Sequence, residues 1–150
     1  MALLNALLKD ADKRDLTKLD QYQAVGGYKA IEKARKMTSD ALIEEMGKAN
    51  LRGRGGAGFP MGRKASLIDR ASPKPKYVVV NADESEPGAF KDREVMAEAP
   101  HRLLEGCLIA AHAIEAKDVF IYIRGEYLAE YEILARPLDS STVKMAVLLP

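Results

Sequence analysis

The chain of 150 residues contains one cysteine, two histidines and no tryptophan. A single cysteine excludes an internal disulfide and any metal or iron–sulfur site that needs several thiolates from these residues. The formal net charge is only +1, so the chain lacks the overall positive field that attracts nucleic acid. The longest uncharged apolar run, at 106–114, is too short to span a bilayer. These absences predict a protein of a reducing compartment, cytoplasmic or facing the cytoplasm, with no nucleic-acid partner and no direct membrane insertion.

The composition is that of a globular domain, with 47% hydrophobic and 30% charged residues. A chain of this length forms one domain that buries about 70% of its unfolded surface. No basic segment precedes the first apolar residues, so the sequence shows no secretion signal. We divide it into an N-terminal arm or helix at 1–25, an α/β domain at 26–140, and a tail at 141–150 that continues no pattern.

Helices are predicted in the first half of the chain. A glycine pair precedes a helical stretch at 28–37, and either Thr38 or Ser39 fits the N-cap of the next helix. That helix should end near Gly47. A short helical turn is expected at 66–70.

The second half of the chain alternates strand and helix. The β-branched run at 77–80 predicts a buried strand, and apolar residues at helical spacing predict a helix from Pro100 to Glu115. A second strand follows at 118–124, and then a helix that Pro137 interrupts. Strand, helix and strand in this order indicate a right-handed crossover and a parallel sheet, so the fold class is α/β.

The stretch "LRGRGGAGFPMG" at 51–62 concentrates glycine. It matches the dinucleotide spacing G-x-G-x-x-G, but a helix rather than a strand precedes it, and it lacks the G-K-[ST] of a phosphate-binding P-loop. Its unhindered amides and flanking basic residues can still bind an anion and let a flat ring lie against the backbone. A flexible surface loop is the alternative. The glycines are Gly53, Gly55, Gly56, Gly58 and Gly62, and the basic residues are Arg52, Arg54, Arg63 and Lys64.

An acidic turn, "NADESEPGAFKDRE", follows the first strand directly. In an open α/β sheet, ligands bind at the carboxyl ends of the strands. Carboxylates at this edge can accept hydrogen bonds from hydroxyl or ring N–H groups, and Asn81 can both donate and accept. The alternative is a solvated turn with local Asx hydrogen bonds. Its acidic residues are Asp83, Glu84, Glu86, Asp92 and Glu94.

The single cysteine, the two histidines and two aromatic residues of the second strand are expected to be structural. Cys107 lies on the apolar face of its helix, which predicts a buried and inert thiol. His101 and His112 are too far apart in sequence for the metal-ligand spacing i, i+4, and surface or capping roles are expected. Phe120 and Tyr122 are interpreted as sheet packing.

Together the motifs resemble one family, the flavoprotein subunit of respiratory NADH:quinone oxidoreductase (complex I), with its relatives in NAD-linked hydrogenases and formate dehydrogenases. The matching stretches are "GGYKAIEKA", "LRGRGGAGFPMG", "PKYVVVNADESEPGAFKDRE", "HRLLEGCLIA" and "IYIRGEY". They occur in the family's order from Gly26 to Tyr127. The resemblance implies a partial Rossmann-like FMN-binding domain, with a parallel sheet, a helical N-terminal segment, and a cleft that holds FMN with NADH stacked on the flavin.

The resemblance also implies roles for individual residues. One group would surround the flavin phosphate and ring edge: Arg54, Gly55, Gly56 and Lys64. A second group would hydrogen-bond the FMN: Asn81, Asp83, Glu84 and Ser85. A third group would contact NADH: Gly58, Phe59, Lys64 and Glu86, with Phe59 stacked on the adenine and Glu86 facing the nicotinamide ribose or carboxamide.

The implied reaction is hydride transfer from NADH to FMN, followed by one-electron release to iron–sulfur clusters. The cofactor supplies this chemistry, so no side chain need act as an acid or base. The implied partners are other subunits of the complex I peripheral arm, especially the 2Fe-2S subunit, on the inner face of the membrane. Two other interpretations stay open: a non-catalytic remnant or partner-binding fragment, and the diaphorase subunit of a hydrogenase or formate dehydrogenase.

The sequence departs from the family pattern in several places. Met61 stands where the family has a small hydroxyl residue, and Ala65 stands where it has tryptophan. The family's second nucleotide segment with a "CGEE" motif, its ubiquitin-like domain, and the four cysteines of its 4Fe-4S cluster do not occur in these residues. The tail at 141–150 does not resemble the family. We therefore expect an N-terminal fragment of the family chain, with no metal ligands of its own.

Overall fold

The computed structural model describes residues 6–137 and 143–147. Its secondary structure begins with four helices and continues as alternating strands and helices. In chain order the elements are α1 (Leu19–Ala24), α2 (Lys29–Ala34), α3 (Ser39–Lys48), α4 (Met61–Ser66), β1 (Tyr77–Ala82), α5 (Lys91–Glu98), α6 (Pro100–Ile114), β2 (Asp118–Ile123), α7 (Leu128–Ala135) and β3 (Val143–Val147).

The strands form one parallel sheet in the order β1-β2-β3. Tyr77 is paired with Asp118 and Ala82 with Ile123, so β1 and β2 begin and end together. This sheet confirms the predicted α/β class. Strand β3 was not predicted, since it lies in the tail that showed no pattern.

The main core lies between the sheet and α6. Val119, Ile121 and Ile123 alternate along β2 and are fully buried, and they form one cluster with Leu104 and Cys107 of α6. Burying an aliphatic side chain of this size contributes roughly 1.5–3 kcal/mol. This burial explains why β2 and the apolar face of α6 pack together.

The strand predicted at 77–80 forms, but its predicted burial is wrong: Val79 is 68% exposed, and Val78 and Val80 are only partly buried.

A second core lies beneath α2, α3 and α4. Ile31, Leu42, Ile43 and Ala65 are buried there together with Ala113 of α6. The α3 helix begins as predicted, because the Thr38 hydroxyl oxygen accepts a hydrogen bond from the Ala41 N–H at 3.2 Å. Ala65, where the resemblance leads us to expect a tryptophan, is buried in this cluster.

Two helices depart from the sequence prediction. Helix α4 occupies Met61–Ser66, directly after the glycine loop, whereas a turn was expected at 66–70. Helix α5 at Lys91–Glu98 was not predicted. Neither has a strong apolar pattern of its own, and both are stabilised by contacts with neighbouring elements.

The expected surface or capping role of His101 is wrong. His101 is buried against two tyrosines of the N-terminal segment. Its ring stacks on Tyr22 at 5.7 Å between centroids, and its Nδ1 lies 2.8 Å from the Tyr28 hydroxyl. Burial lowers the pKa of His101, while a contact with the Thr17 backbone acts the other way. No local pattern in the sequence indicates these contacts, since the tyrosines lie more than 70 positions away.

Buried Glu105 of α6 joins the N-terminal segment to the rest of the protein. Its carboxylate accepts hydrogen bonds from the Tyr22 hydroxyl at 2.5 Å, the Tyr28 N–H at 3.0 Å and the Ile31 N–H at 3.1 Å. The last two groups belong to the first turn of α2, where backbone N–H groups lack partners within the helix. Glu105 therefore caps α2 across the domain.

Among residues 6–137 and 143–147, the structure contains no helix that is both long and apolar enough to cross a membrane.

Glycine at position 62 is required by the packing of α4 on α3. A Cβ at Gly62 would lie 2.6 Å from the Gly47 backbone nitrogen and 2.8 Å from its Cα. Replacing glycine by alanine inside a helix stabilises the folded protein by about 1 kcal/mol. Forcing an extra carbon into a packed contact destabilises it by about 1–3 kcal/mol. Because backbone atoms cannot move aside easily, we expect Gly62→Ala to lower the free energy of unfolding by about 1–2 kcal/mol in urea denaturation.

The matched control is Gly47→Ala, since a Cβ at Gly47 meets nothing within 4 Å. This variant should be as stable as the wild type or slightly more stable. Equal stability of the Gly62→Ala and Gly47→Ala proteins would contradict the close approach of the two helices.

The Glu105 cap generates a second prediction. In Glu105→Gln, an amide N–H₂ replaces one acceptor oxygen and faces donors that then lose their partner. An unsatisfied buried group costs about 1–3 kcal/mol, so the free energy of unfolding should fall by about 2 kcal/mol. Glu132→Gln on the exposed side of α7 is the control and should change stability by less than about 0.5 kcal/mol. Equal denaturation curves for the two variants would show that Glu105 does not anchor the N-terminal segment.

Candidate functional site

The carboxyl edge of the sheet brings two motifs together. Strand β1 ends at Ala82 and β2 ends at Ile123, and these two residues are paired in the parallel ladder. Asp83 and Arg124 therefore leave the sheet side by side. This is the edge at which ligands bind in open α/β sheets.

The acidic turn at 81–85 has a defined local structure. The Asn81 side-chain oxygen accepts a hydrogen bond from the Asp83 N–H at 3.0 Å, and the Ser85 hydroxyl donates to the Asp83 carboxylate at 2.9 Å. These are the local hydrogen bonds expected of an Asx turn. Asn81 and Ser85 are exposed, so their remaining polar atoms face solvent and are accessible to a ligand.

Glu84 is the buried residue of this turn, and its carboxylate caps α5. It accepts hydrogen bonds from the Asp92 N–H at 3.1 Å, the Arg93 N–H at 3.2 Å and the Lys91 ammonium at 3.3 Å. Burial by itself would raise the pKa of Glu84, but these hydrogen bonds outweigh it and lower the pKa. The carboxylate of Glu84 thus stabilises α5, while its proposed contact with FMN stays a prediction.

The glycine loop at 53–59 is closed at its base by two backbone hydrogen bonds. The Gly53 N–H donates to the Phe59 carbonyl at 2.9 Å, and the Met61 N–H donates to the Leu51 carbonyl at 2.8 Å. Within the loop, Gly56 and Gly58 have φ values of 123° and 61°, which favour glycine. Two of the five clustered glycines are therefore explained by backbone conformation.

The tip of this loop presents unused hydrogen-bond donors. Of the residues that the structure describes, none accepts a hydrogen bond from the N–H groups at 54–58. A Cβ at Gly55 or Gly56 would meet nothing within 4 Å, so the space beside the loop is open. A run of free amides beside open space can hold an anion or the face of a flat ring.

Basic side chains surround the loop. Arg52 donates to the Gly58 carbonyl at 3.4 Å, and the Arg63 guanidinium lies 5.9 Å from the centre of the half-exposed Phe59 ring. Arg54 and Lys64 are exposed, and they form no ion pair within residues 6–137 and 143–147. These two cations are therefore available to a phosphate.

Two adjoining cavities connect the start of α4 with β1. One of about 470 Å³ is lined by Met61, by Asn81 and by the apolar side of α6. The second, of about 220 Å³, is lined by Met61, Lys64 and Val79. Met61, the first residue of α4, and Asn81, the first residue of the acidic turn, thus line the same cavity. Within the described part of the chain, the loop and the turn make no hydrogen bond with each other.

Arg124 and Tyr127 lie at the site, although no role was predicted for them from the sequence. Arg124 and Tyr127, both in "IYIRGEY", donate hydrogen bonds to the Glu84 carbonyl at 3.2 Å and 3.3 Å. Their position just after the second parallel strand could have indicated a place at the site, because ligands bind at the carboxyl ends of such strands.

The part of the chain that the structure describes shows neither a reactive thiol nor a cluster of metal-ligating side chains. Cys107 is buried, as predicted, and burial raises the pKa of its thiol to about 12, so it is not a reactive thiolate. Residues 6–137 and 143–147 contain no cluster of three or more metal-ligating side chains.

Comparison with known families gives a match over most of the chain. A family model described as the Nuo51 FMN-binding domain matches residues 46–148. The matched region includes the glycine loop, the acidic turn and all three strands. It also extends across most of the segment at 141–150 that we interpreted as a tail.

Similar curated proteins and solved structures were also found. An NADH-quinone oxidoreductase subunit of Aquifex aeolicus (strain VF5) is 48% identical over 94% of this chain and 33% of its own length. An NADH-quinone oxidoreductase subunit of Rhizobium meliloti (strain 1021) is 50% identical over 81% of this chain and 29% of its own length. A crystal structure of an NAD+-reducing [NiFe]-hydrogenase in the air-oxidized state superposes with a TM-score of 0.66 and 30% identity, covering 95% of this chain and 24% of that one. The chain spans about a third of the length of the curated relatives it matches.

The Glu84 cap predicts a pH-dependent contribution to stability. In the folded protein the pKa of Glu84 lies below its ordinary value of 4.5. The ionised carboxylate therefore contributes fully to the free energy of unfolding above about pH 4.5. This contribution is lost as the pH falls through the folded-state pKa. We expect Glu84→Gln to lower the free energy of unfolding by about 1–3 kcal/mol at about pH 7. The difference from the wild type should shrink below about pH 4.5.

Urea denaturation at a series of pH values measures this difference. Glu86→Gln is the control, because Glu86 is exposed and should leave stability unchanged within about 0.5 kcal/mol. A difference between wild type and Glu84→Gln that stays constant from about pH 7 to about pH 3 would contradict the charge-dependent cap.

Proposed function

Because the chain belongs to the family described as the Nuo51 FMN-binding domain, we propose that it forms part of an NADH-oxidising flavoprotein and supplies the phosphate and ring-edge half of its FMN site. The observation that carries this proposal is the glycine loop. Its tip has free N–H groups, open space where side chains would stand, and two exposed cations, Arg54 and Lys64. Helix α4 begins two residues after the loop, and its first residue, Met61, lines a cavity together with Asn81 at the end of β1.

The residues present fit FMN in chemical terms. Arg54, Lys64 and the amides of Gly55 and Gly56 are donors suited to the phosphate and to the acceptor atoms on the ring edge. The turn residues Asn81, Asp83 and Ser85 offer acceptors for the ribityl hydroxyls. Glu84 contributes by holding the turn, since its own carboxylate is directed at α5.

For NADH we propose contacts from the same loop. Gly58 allows a close approach, Phe59 stacks on the adenine ring, and Lys64 attracts the pyrophosphate. Glu86 is exposed next to the turn and would face the nicotinamide ribose or carboxamide. Phe59 is 41% exposed, so its ring face is available for stacking.

The chemistry that FMN would supply, when held by these residues, is hydride transfer from NADH and one-electron release to iron–sulfur clusters. The residues of this chain would bind and orient the two nucleotides and exclude water between them. The chain has one cysteine and so cannot supply the ligands of a 4Fe-4S cluster. That cluster would belong to a further part of the longer relatives.

We propose that the protein works within a larger assembly. The similar proteins are named as subunits, and the 2Fe-2S subunit of the complex I peripheral arm is the partner that we propose for the next electron-transfer step. Such an assembly would place the chain at the inner face of the membrane through its partners.

A second candidate function is favoured by the structural comparison. The superposition on an NAD+-reducing [NiFe]-hydrogenase covers nearly the whole chain, and the diaphorase role would use the same residues. The two functions differ only in the electron acceptor. A fragment that binds a partner without catalysis is the remaining alternative, and it predicts no flavin binding.

The first test is a titration of FMN and of riboflavin with the purified chain, followed by flavin fluorescence. Riboflavin has the same ring and ribityl chain but no phosphate. We expect saturable quenching of FMN at micromolar protein and about tenfold weaker binding of riboflavin, because a charge-assisted contact to phosphate contributes roughly 1.4 kcal/mol or more.

Lys64→Gln should weaken FMN binding about tenfold and leave riboflavin binding unchanged. Its matched control is Lys36→Gln, an exposed lysine just after α2 that should have no effect on either ligand. Absence of FMN binding would refute the flavin function for this chain. Equal affinity for FMN and riboflavin would refute the assignment of the phosphate to the loop.

A further inference from the structure

The turn at 81–85 contains no regular secondary structure after Ala82, yet two side chains fix its backbone. The Arg124 guanidinium donates to the Glu84 carbonyl at 3.2 Å, and the Tyr127 hydroxyl donates to the same oxygen at 3.3 Å. A carbonyl oxygen has two lone pairs and can accept both bonds. The backbone of the turn is therefore bound from the side of β2 and α7.

Both donors are themselves held in place. A second nitrogen of Arg124 donates to the Glu126 carboxylate at 2.7 Å, and this bond lowers the pKa of Glu126 to about 2. The Tyr127 ring lies under the Arg93 guanidinium at 5.7 Å. Arg93 in turn donates to buried Glu130 at 2.7 Å. Each donor therefore has a second contact besides its hydrogen bond to the Glu84 carbonyl.

Glu84 is bound at both of its polar groups. Its carboxylate accepts hydrogen bonds from the first N–H groups of α5, and its carbonyl oxygen accepts hydrogen bonds from Arg124 and Tyr127. Loss of the carbonyl contacts would leave the turn attached to α5 but free to move relative to β2. Asn81, Asp83 and Ser85 would move with it.

We propose that Arg124 and Tyr127 are positioning residues, which hold the 81–85 turn in its flavin-binding shape through the Glu84 carbonyl. This proposal rests on the proposed function of the turn. Neither residue needs to touch the flavin. Their effect is on the placement of the hydrogen-bonding groups of Asn81, Asp83 and Ser85.

The test uses the full 150-residue chain and the variants Arg124→Met, Tyr127→Phe and the double variant. Arg35→Met is the matched control. Arg35 is an exposed arginine at the end of α2, and it lines a cavity with Glu115 and His112, at the opposite end of α6 from Pro100. Two measurements are made on each protein: amide hydrogen exchange at residues 83–86, and FMN affinity by fluorescence.

We expect Arg124→Met to increase exchange at the Asp83 amide about tenfold and to weaken FMN binding by a similar factor, because a hydrogen bond from a charged donor is lost. Tyr127→Phe should have a smaller effect in the same direction. The double variant should show less than the sum of the two effects, since both donors share one acceptor. Arg35→Met should match the wild type in both measurements.

Exchange is measured without ligand, so the two proposals fail separately. If the wild type does not bind FMN but Arg124→Met increases exchange at the turn, the flavin function fails and the positioning of the turn stands. If FMN binds and Arg124→Met changes neither exchange nor affinity, the positioning role is overturned while the flavin function stands. Unchanged exchange in Arg124→Met overturns the positioning role whether or not the wild type binds FMN.

Discussion

The structure depends on buried carboxylates that satisfy the first N–H groups of helices formed elsewhere in the chain. Glu84 leaves the end of β1 and accepts hydrogen bonds from the Asp92 and Arg93 amides. Backbone N–H groups at a helix start have no partner within the helix, and the positive end of the helix dipole favours a negative charge. One side chain thus attaches the start of α5 to the carboxyl end of β1.

Glu105 repeats this arrangement at the other side of α6. It binds the Tyr28 and Ile31 amides and the Tyr22 hydroxyl, and so attaches two short helices to the central one. Helices of six residues are not stable by themselves in water. Their order comes from this contact and from burial of Ile31 and Tyr22.

The glycines of the loop serve different physical needs, although they look alike in the sequence. Gly56 and Gly58 adopt positive φ angles, Gly55 faces open space, and Gly62 permits contact between the backbones of α3 and α4. Only the loop members belong to the ligand site that we propose. Gly62 fixes the helix from which Met61 and Lys64 project toward the cavities beside β1.

The sequence by itself determined the local and periodic features: a strand that begins at Tyr77, a second strand that begins at Asp118, the long helix from Pro100, and a helix start at Thr38 or Ser39. Each depends on nearby residues, so its signal is contained in a short window. Tertiary structure alone decided the burial of His101, the strand at 143–147, the helices at 61–66 and 91–98, and the hydrogen bonds of Arg124 and Tyr127 to the Glu84 carbonyl. These features depend on partners distant in sequence, and a hydrogen bond between Arg124 and a carbonyl 40 positions earlier leaves no pattern in either segment.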